Sequence, residues 1–566
     1  MRGIGARRTG IAVLAALTIG LLLVLTGCGA EPTSSSERAA QESCGGSECH
    51  DDVIAVRANG PHKDAECLTC HEGADGEHAT DPQATDADIA WEIESCAGCH
   101  EGEAVTYLYD DNAKPGPFGG SQRIPAQPKA DTFPLYNQIV AGHAFAKDYN
   151  EEGAHAFMMK DHRETTRGKF ETCVQCKSTK VAYAWKTGKA LVVENDTAVE
   201  LNHTKTADAP AKSLKVPAGT TITYSTDEKT RAVDAKVTTP DGKTFTSKPD
   251  KSMDATANYN MTWASTIAAT TETEDYGTSC SHCHDPHSAK LDYMRDSMLD
   301  AIANGGVEGS GGVNPYASSP NTDIKQAKLS DKRILACAQC HVEYTCGKSG
   351  VDGVDRDAFG WSKASDLHRL YTDVFEYKQD WRHKVIGQPL IKSQHSETEL
   401  YWESVHYDAG VACSDCHMPE VRDTNGRIFR SHWMTSPFKY ESNELFAKFA
   451  TSTGLDASYN DKPCARCHED RTAAGMAQQK AVFERQKHVQ QLLADSAGAL
   501  GTLKPTEAKY NEALLAHRQA HVLWENLIVS ENSMGFHNYE EVMDSLAAAE
   551  KFANQALAIA MALPQK

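Results

Sequence analysis

The segment Thr172-Cys173-Val174-Gln175-Cys176-Lys177 places two thiols two residues apart, with a potential metal ligand directly after the second. That spacing is the attachment signature of a covalently bound c-type haem, in which both sulfurs bond the macrocycle and the next side chain reaches the iron. The usual ligand is histidine. Here it is lysine, whose amine coordinates only when deprotonated, a form that the metal's own charge must hold. Because axial-ligand identity is a main lever on haem chemistry, this haem is set apart from the others and marks the place where chemistry happens.

The same spacing followed by histidine recurs at Cys67-Cys70-His71, Cys96-Cys99-His100, Cys280-Cys283-His284, Cys337-Cys340-His341, Cys413-Cys416-His417 and Cys464-Cys467-His468. One Cys-x-x-Cys could be half a zinc site or a redox dithiol, but six copies each followed by histidine leave little room for either. Cys44-x4-Cys49-His50 is read as a further motif with an expanded loop, a disulfide being the alternative. Counting the Cys173-Cys176-Lys177 motif, eight motifs use 16 of the 18 cysteines and leave Cys28 and Cys346.

The elements that must position these groups follow from composition. A formal charge of −21, which becomes −24 without the first 27 residues and their three arginines, argues against a nucleic-acid partner. Arg2, Arg7 and Arg8 precede an apolar run from Ile11 to Leu25 that ends in Leu25-Thr26-Gly27-Cys28, the pattern of an export signal (1–27) with a lipid-accepting Cys28. Residues 28–43 then form a tether, and the protein is expected outside the cytoplasm, anchored to a membrane by its lipid. Residues 44–130 carry three motifs with few apolar residues between them and read as an electron-transfer module held together by its haems. Residues 131–468 carry the other five. Between about 191 and 254 the composition turns to Thr, Val and Lys, and Leu214 to Tyr224 and Val237 to Phe245 read as hairpins. Residues 469–566 lack a motif. Val482, Val489, Leu493 and Leu500, and Val542, Leu546, Ala549 and Ala553, recur at helical spacing, predicting three helices, the second starting near Pro505. The fold class expected is a mainly α multihaem cytochrome c with a small β-rich insertion and long C-terminal helices.

The motif order Lys, His, His, His, His over residues 131–468 is similar to that of the ammonia-forming cytochrome c nitrite reductases. Local matches extend to His155-Ala156-Phe157 with Arg163-Glu164-Thr165-Thr166-Arg167-Gly168, to Cys337-Ala338-Gln339-Cys340-His341-Val342-Glu343-Tyr344, and to Lys392-Ser393-Gln394-His395. With its three additional N-terminal motifs the chain resembles the octahaem branch of that family. The resemblance implies eight covalent haems and a catalytic trio of Arg167, Tyr344 and His395 around the open side of the Lys177 haem. Arginine suits a small anion, while histidine and phenol suit proton donation. It also implies a calcium ion held by Glu343, Tyr344, Lys392 and Gln394, all through oxygen. Second axial ligands are implied at His155 for the Cys337 haem, His432 for Cys280, His406 for Cys464 and His537 for Cys413. For the N-terminal haems the sequence leaves His62, His78, His143, His162 and others open. Cys346, two residues after Tyr344, matches a cysteine that in the octahaem branch is joined to the tyrosine ring by a thioether, the alternative being a small buried thiol.

The activity implied is six-electron reduction of nitrite to ammonium, with hydroxylamine, sulfite or tetrathionate reduction, or a surface electron conduit, as rivals. The expected partners are nitrite, a quinol-linked membrane donor and a second copy of the chain through the C-terminal helices.

Overall fold

The computed structural model describes residues 51–71, 93–109, 133–142, 155–159, 176–200, 213–226, 233–246, 277–294, 327–343, 363–374, 379, 381–391, 393, 396–402, 404–469, 471–503, 508–526 and 533–564. The chain forms two compact units. One takes residues up to Val105 together with Ser279–Lys290, and the other takes Thr106–Thr278 and Leu291–Lys566. The Cys280-Cys283-His284 motif therefore groups with the motifs of the N-terminal residues.

In the first unit, α1 (Asp51–Ala58), the turn Cys67–Thr69, α2 (Ile93–Ala97) and the turn Cys280–His282 surround the haem motifs. Among its described residues, Ile93 and Ala104 are the buried apolar side chains. These described residues do not by themselves make an ordinary apolar core.

The second unit is built on three long helices, α9 (Thr472–Gly501), α10 (Ala508–Glu525) and α11 (Tyr539–Ala562), with shorter helices α3 (Tyr136–Ile139), α4 (Thr179–Thr187), α5 (Leu329–Ala338), α6 (Glu397–Tyr401), α7 (Cys413–His417) and α8 (Asn443–Thr453). Val482, Val489, Leu493, Trp524, Leu546, Ala549 and Ala553 are fully buried in one cluster that also takes in Phe133, Tyr136 and Ile139 from around α3. Trp524 anchors it by donating its indole N–H to the Gln486 carbonyl at 2.9 Å, so its large apolar body is buried without stranding its polar atom. The side chain of Asn538 starts α11 by accepting the Glu541 N–H at 3.2 Å. Among the described residues, no helix is long and apolar enough to cross a membrane.

The β-rich segment contains β1 (Leu191–Val192), β2 (Thr197–Glu200), β3 (Ser213–Val216), β4 (Thr221–Thr226), β5 (Val233–Thr238) and β6 (Thr244–Thr246). Val237 to Phe245 is a hairpin, with Val237 opposite Phe245 and the turn closed by Gly242 at φ 81°. Leu214 to Tyr224 is not a hairpin. β3 pairs with β2, whereas β4 lies between β1 and β5 in a sheet of order β1-β4-β5-β6. The physical reason is burial. Ile222, Tyr224, Ala235 and Val237 from β4 and β5 pack with Val181 and Ala184 of α4, and the Tyr224 ring stacks on Trp185 at 5.4 Å. A direct β3–β4 turn would leave that apolar face uncovered.

Candidate haem-iron sites

Each described Cys-x-x-Cys-His motif folds as one tight turn. The backbone N–H of the histidine donates to the carbonyl of the first cysteine at 3.0 Å for His71, 2.9 Å for His100, 3.0 Å for His284, 2.9 Å for His341 and 3.0 Å for His468. Such a turn gathers both sulfurs and the imidazole at one end of the segment. In the Cys413 motif the turn extends into α7 and is pinned by Asp415, which accepts the Ala412 N–H at 2.8 Å and pairs with Arg333 and Arg430. Arg333 belongs to α5, whose end carries Cys337, so the two motifs are tied together.

Two imidazoles on opposite sides of one metal ion lie about 6.2 Å apart between ring centroids, from about 2.0 Å for each metal–nitrogen bond plus about 1.1 Å from nitrogen to centroid. Among the described residues, five pairs that each include a motif histidine have that separation, as do His383 with His517 at 6.2 Å and His517 with His521 at 6.4 Å, which belong to no motif. His155 and His341 are 5.9 Å apart, His406 and His468 6.3 Å, and His417 and His537 6.2 Å, so the structure brings together three of the four residue pairs expected from sequence. In the first unit, His62 and His100 are 5.9 Å apart and His71 and His287 6.0 Å, which sets His62 and His287 beside motif histidines whose partners the sequence left open. His287 lies only three residues beyond the Cys280 motif and carried no sequence signal of its own. His284 belongs to the first unit and its expected partner His432 to the second.

The outer nitrogens of three candidate ligands, His417, His62 and His432, are held as iron ligands require. Nδ1 of His417 is 2.9 Å from the Thr435 carbonyl, Nδ1 of His62 is 2.7 Å from that of Pro286, and Nδ1 of His432 is 3.0 Å from that of Arg430. Each bond fixes the tautomer that leaves Nε2 for metal. Burial, aided by His537, pushes the His417 imidazole down to about 4, the neutral state that ligation needs. His341 differs: burial pulls it down, but Glu397, 3.5 Å from Nδ1, together with Cys337 and Cys176, takes it up to about 9. Glu397 is a positioning carboxylate that sequence reading missed.

Lys177 is buried at 8% exposure, beside buried Cys176 and just before α4, whose N-cap Ser178 accepts the Val181 N–H at 3.2 Å. The segment is clamped by Gly277. Its carbonyl accepts the Thr179 N–H at 3.2 Å, and its N–H donates to the Ala156 carbonyl at 2.8 Å, in the turn His155–Phe157 that bears a proposed iron ligand. A Cβ on Gly277 would sit 2.3 Å from the Lys177 carbonyl oxygen and 3.0 Å from the Met159 nitrogen, so only glycine permits this approach. Thr278 completes the clamp by donating to the His155 carbonyl at 2.9 Å.

Glu343, one of the expected calcium ligands, is buried beside Glu399, which is also buried and accepts the Glu343 backbone N–H at 2.9 Å. Tyr371 donates to the Glu343 carboxylate. Burial and the neighbouring Glu343 push the Glu399 carboxyl well above the ordinary carboxylate range, and its Oε2 has no hydrogen-bond partner. Two carboxylates sharing one buried site fit a hard cation, which would relieve both their repulsion and their desolvation. The described residues hold no group of three or more metal-binding side chains. Cys28, Cys44, Cys49, His50, Arg167, Cys173, Tyr344, Cys346, Lys392, Gln394 and His395 lie outside the described residues.

The family model for cytochrome c552 matches residues 108–193 and 242–566. The gap falls within the β-rich segment. The cytochrome c nitrite reductase subunit NrfA of Nitratidesulfovibrio vulgaris strain Hildenborough is 28% identical over 316 residues, 52% of this chain and 54% of its own length. A cytochrome c-552 of Desulfotalea psychrophila is 26% identical over 288 residues, 48% of this chain and 49% of its own. The chain thus spans about half the length of the curated relatives it matches. In fold it is similar to the catalytic subunit NrfA of Desulfovibrio desulfuricans cytochrome c nitrite reductase, described with two calcium sites, at a TM-score of 0.55 and 21% identity over 83% of this chain and 86% of that one. Repeated haem-attachment turns, histidine pairs spaced for iron and a family match over most of the sequence lead to one assignment: the chain belongs to the cytochrome c552 family.

Proposed function

We propose that this protein is an octahaem nitrite reductase that forms ammonium at the haem bound by Cys173, Cys176 and Lys177. The observation that carries the reading is the buried, glycine-clamped Lys177, the one position among the motifs where the second cysteine is followed by lysine instead of histidine. A pure electron conduit has no use for such a haem. The histidine pairs support closed electron carriers, since an iron with two imidazoles has no position left for substrate. When bound, the haems supply the electrons and the open iron on which nitrite is reduced.

The chain's own residues do the rest. Arg167 binds and orients the anion, offsetting the repulsion of an acidic chain. His395 and Tyr344 donate protons to nitrogen and to departing oxygen, because each nitrite consumes six electrons and eight protons to give ammonium and two waters. Glu343, with the Tyr344 and Lys392 carbonyls and the Gln394 side chain, would hold calcium, and Glu399 stands beside it as a second carboxylate. A thioether between Cys346 and the Tyr344 ring would restrain the phenol and lower its pKa. Lipidation at Cys28 would anchor the protein outside the cytoplasm near a quinol-linked donor, and the C-terminal helices would pair two copies.

The test is ammonium production from nitrite by the purified holoprotein with a reduced dye. Stoichiometric ammonium supports the reading. Dye oxidation by hydroxylamine, sulfite or tetrathionate but not nitrite moves it to another substrate, and no turnover of any of them leaves a conduit.

A further inference from the structure

The helix α10 carries three ionisable side chains on one face, His517, His521 and Glu525, four residues apart and each fully buried. They stand in the bundle core, where apolar residues would be cheaper to bury. Nδ1 of His521 is 3.3 Å from Oε2 of Glu525. The His521 ring is 6.4 Å from that of His517, whose Nδ1 is 2.8 Å from Ser496 Oγ. Since Ser496 also donates to the Leu493 carbonyl at 3.0 Å, the His517 proton sits on Nδ1, and its Nε2, buried and without a hydrogen-bond partner, is an acceptor. After Glu525 comes Asn526, which accepts from Ser396 Oγ at 2.6 Å and whose buried Nδ2 also lacks a partner. Ser396 follows His395 in sequence. Buried polar atoms left unpaired at both ends of such a row are the pattern that internal water satisfies.

We infer that His521 and Glu525 form a proton-transfer pair that, with water held between His517 and Asn526, carries protons to Ser396, the sequence neighbour of the proposed proton donor His395. The inference rests on the nitrite-reductase reading, in which every turnover draws eight protons into a buried site. In each step His521 takes a proton at Nε2 and gives the one on Nδ1 to Oε2 of Glu525, and before the next step the proton left on Nε2 returns to Nδ1 by exchange through the held water, with no net proton gained or lost. The carboxylic acid so formed passes its proton inward along the water at Asn526 and Ser396, restoring the carboxylate. From His517 to Glu525 the row covers about 12 Å of helix. Its outer end adjoins the loop of exposed Arg382, Lys384 and Gly387, through His383, whose ring is 6.2 Å from that of His517.

The surroundings favour transfer over fixed charge. His383 is locked as a neutral ring, with Nε2 3.0 Å from the Gln138 carbonyl and Nδ1 accepting the Val385 N–H at 3.2 Å. Burial, with His383 beside it, lowers His517 to about 3, so it serves as a neutral hydrogen-bond link. On α3, burial and the charge of Glu525 raise the Tyr136 phenol, keeping it protonated. Arg518 turns its guanidinium away, onto the Pro389 carbonyl at 2.6 Å.

The experiment measures ammonium formation by the holoprotein and its Glu525→Gln variant across pH, in water and in D2O, with haem content and the dithionite-reduced spectrum as controls. Expected is a loss of about tenfold in kcat with KM for nitrite unchanged, a shifted pH profile and a larger solvent isotope effect, at normal haem content. A variant with the wild-type rate, profile and isotope effect overturns the relay while leaving the function intact. Wild-type protein that makes no ammonium overturns both. If Glu525→Gln loses haem, His521→Gln is measured in the same way, and the same outcomes decide.

Discussion

Gly277→Ala probes whether the backbone clamp sets the position of Lys177. The added methyl carbon would start 2.3 Å from the Lys177 carbonyl oxygen, and its other near neighbours, the Met159 nitrogen at 3.0 Å and the Met158 Cβ at 3.2 Å, directly follow the turn His155–Phe157. Neither neighbour is the far end of a flexible side chain. Restoring ordinary contact at roughly 3.4 Å requires a displacement of about 1 Å, shared between the lysine segment and the turn bearing His155. Overpacking of this kind costs about 1–3 kcal/mol of stability. A misplacement of about 1 Å at a reacting centre can cost about 100-fold in rate. The expected variant keeps its full haem content and folds with a lowered melting temperature, but makes ammonium from nitrite about 100-fold more slowly. Steady-state assays with a reduced dye, haem quantification and thermal melts measure all three quantities. Wild-type turnover together with an unchanged melt would show that this close approach does not position the lysine, and the reasoning would fail.

Replacing Lys177 by histidine should keep every haem yet abolish most nitrite turnover, and full activity in that variant would remove the reason for placing the active site there. Intact mass of the mature protein should exceed the polypeptide by eight haems plus lipid, whereas seven haems would show that the Cys44-x4-Cys49-His50 segment is not an attachment site. The peptide holding Tyr344 and Cys346 should run two hydrogens light and resist alkylation, and a fully alkylated Cys346 in active enzyme would rule out the crosslink. Burial raises the Asp415 carboxyl, but Ala412, Arg333 and Arg430 together lower it below its ordinary value. Its contribution, about 1 kcal/mol for a partly exposed cluster, is therefore present above the unfolded carboxylate pKa and lost as pH falls through the folded one. Asp415→Asn should lower the melting temperature near neutrality and narrow its gap to wild type in acid; a constant gap down to about pH 3 would contradict this.

The helical C-terminus was legible in the residues, and the haem-attachment motifs and the lysine after Cys176 can be read there, because each is a local property. Thioether attachment demands two thiols at a set spacing with a ligand after them. A buried helix face repeats every three to four residues, as Val482, Val489 and Leu493 do. What brings residues together from far along the chain was not legible. The pairing of His71 with His287, the approach of Gly277 to Lys177, Glu399 beside Glu343 and the β4–β5 register each join segments whose separation in sequence carries no signal. The α10 column shows the limit most directly. Its spacing of four is visible in the sequence, but His517, His521 and Glu525 would read there as one polar face of a surface helix. Only the packing of α9 and α11 around that helix puts the face in the core, where ionisable groups are costly enough to call for a function.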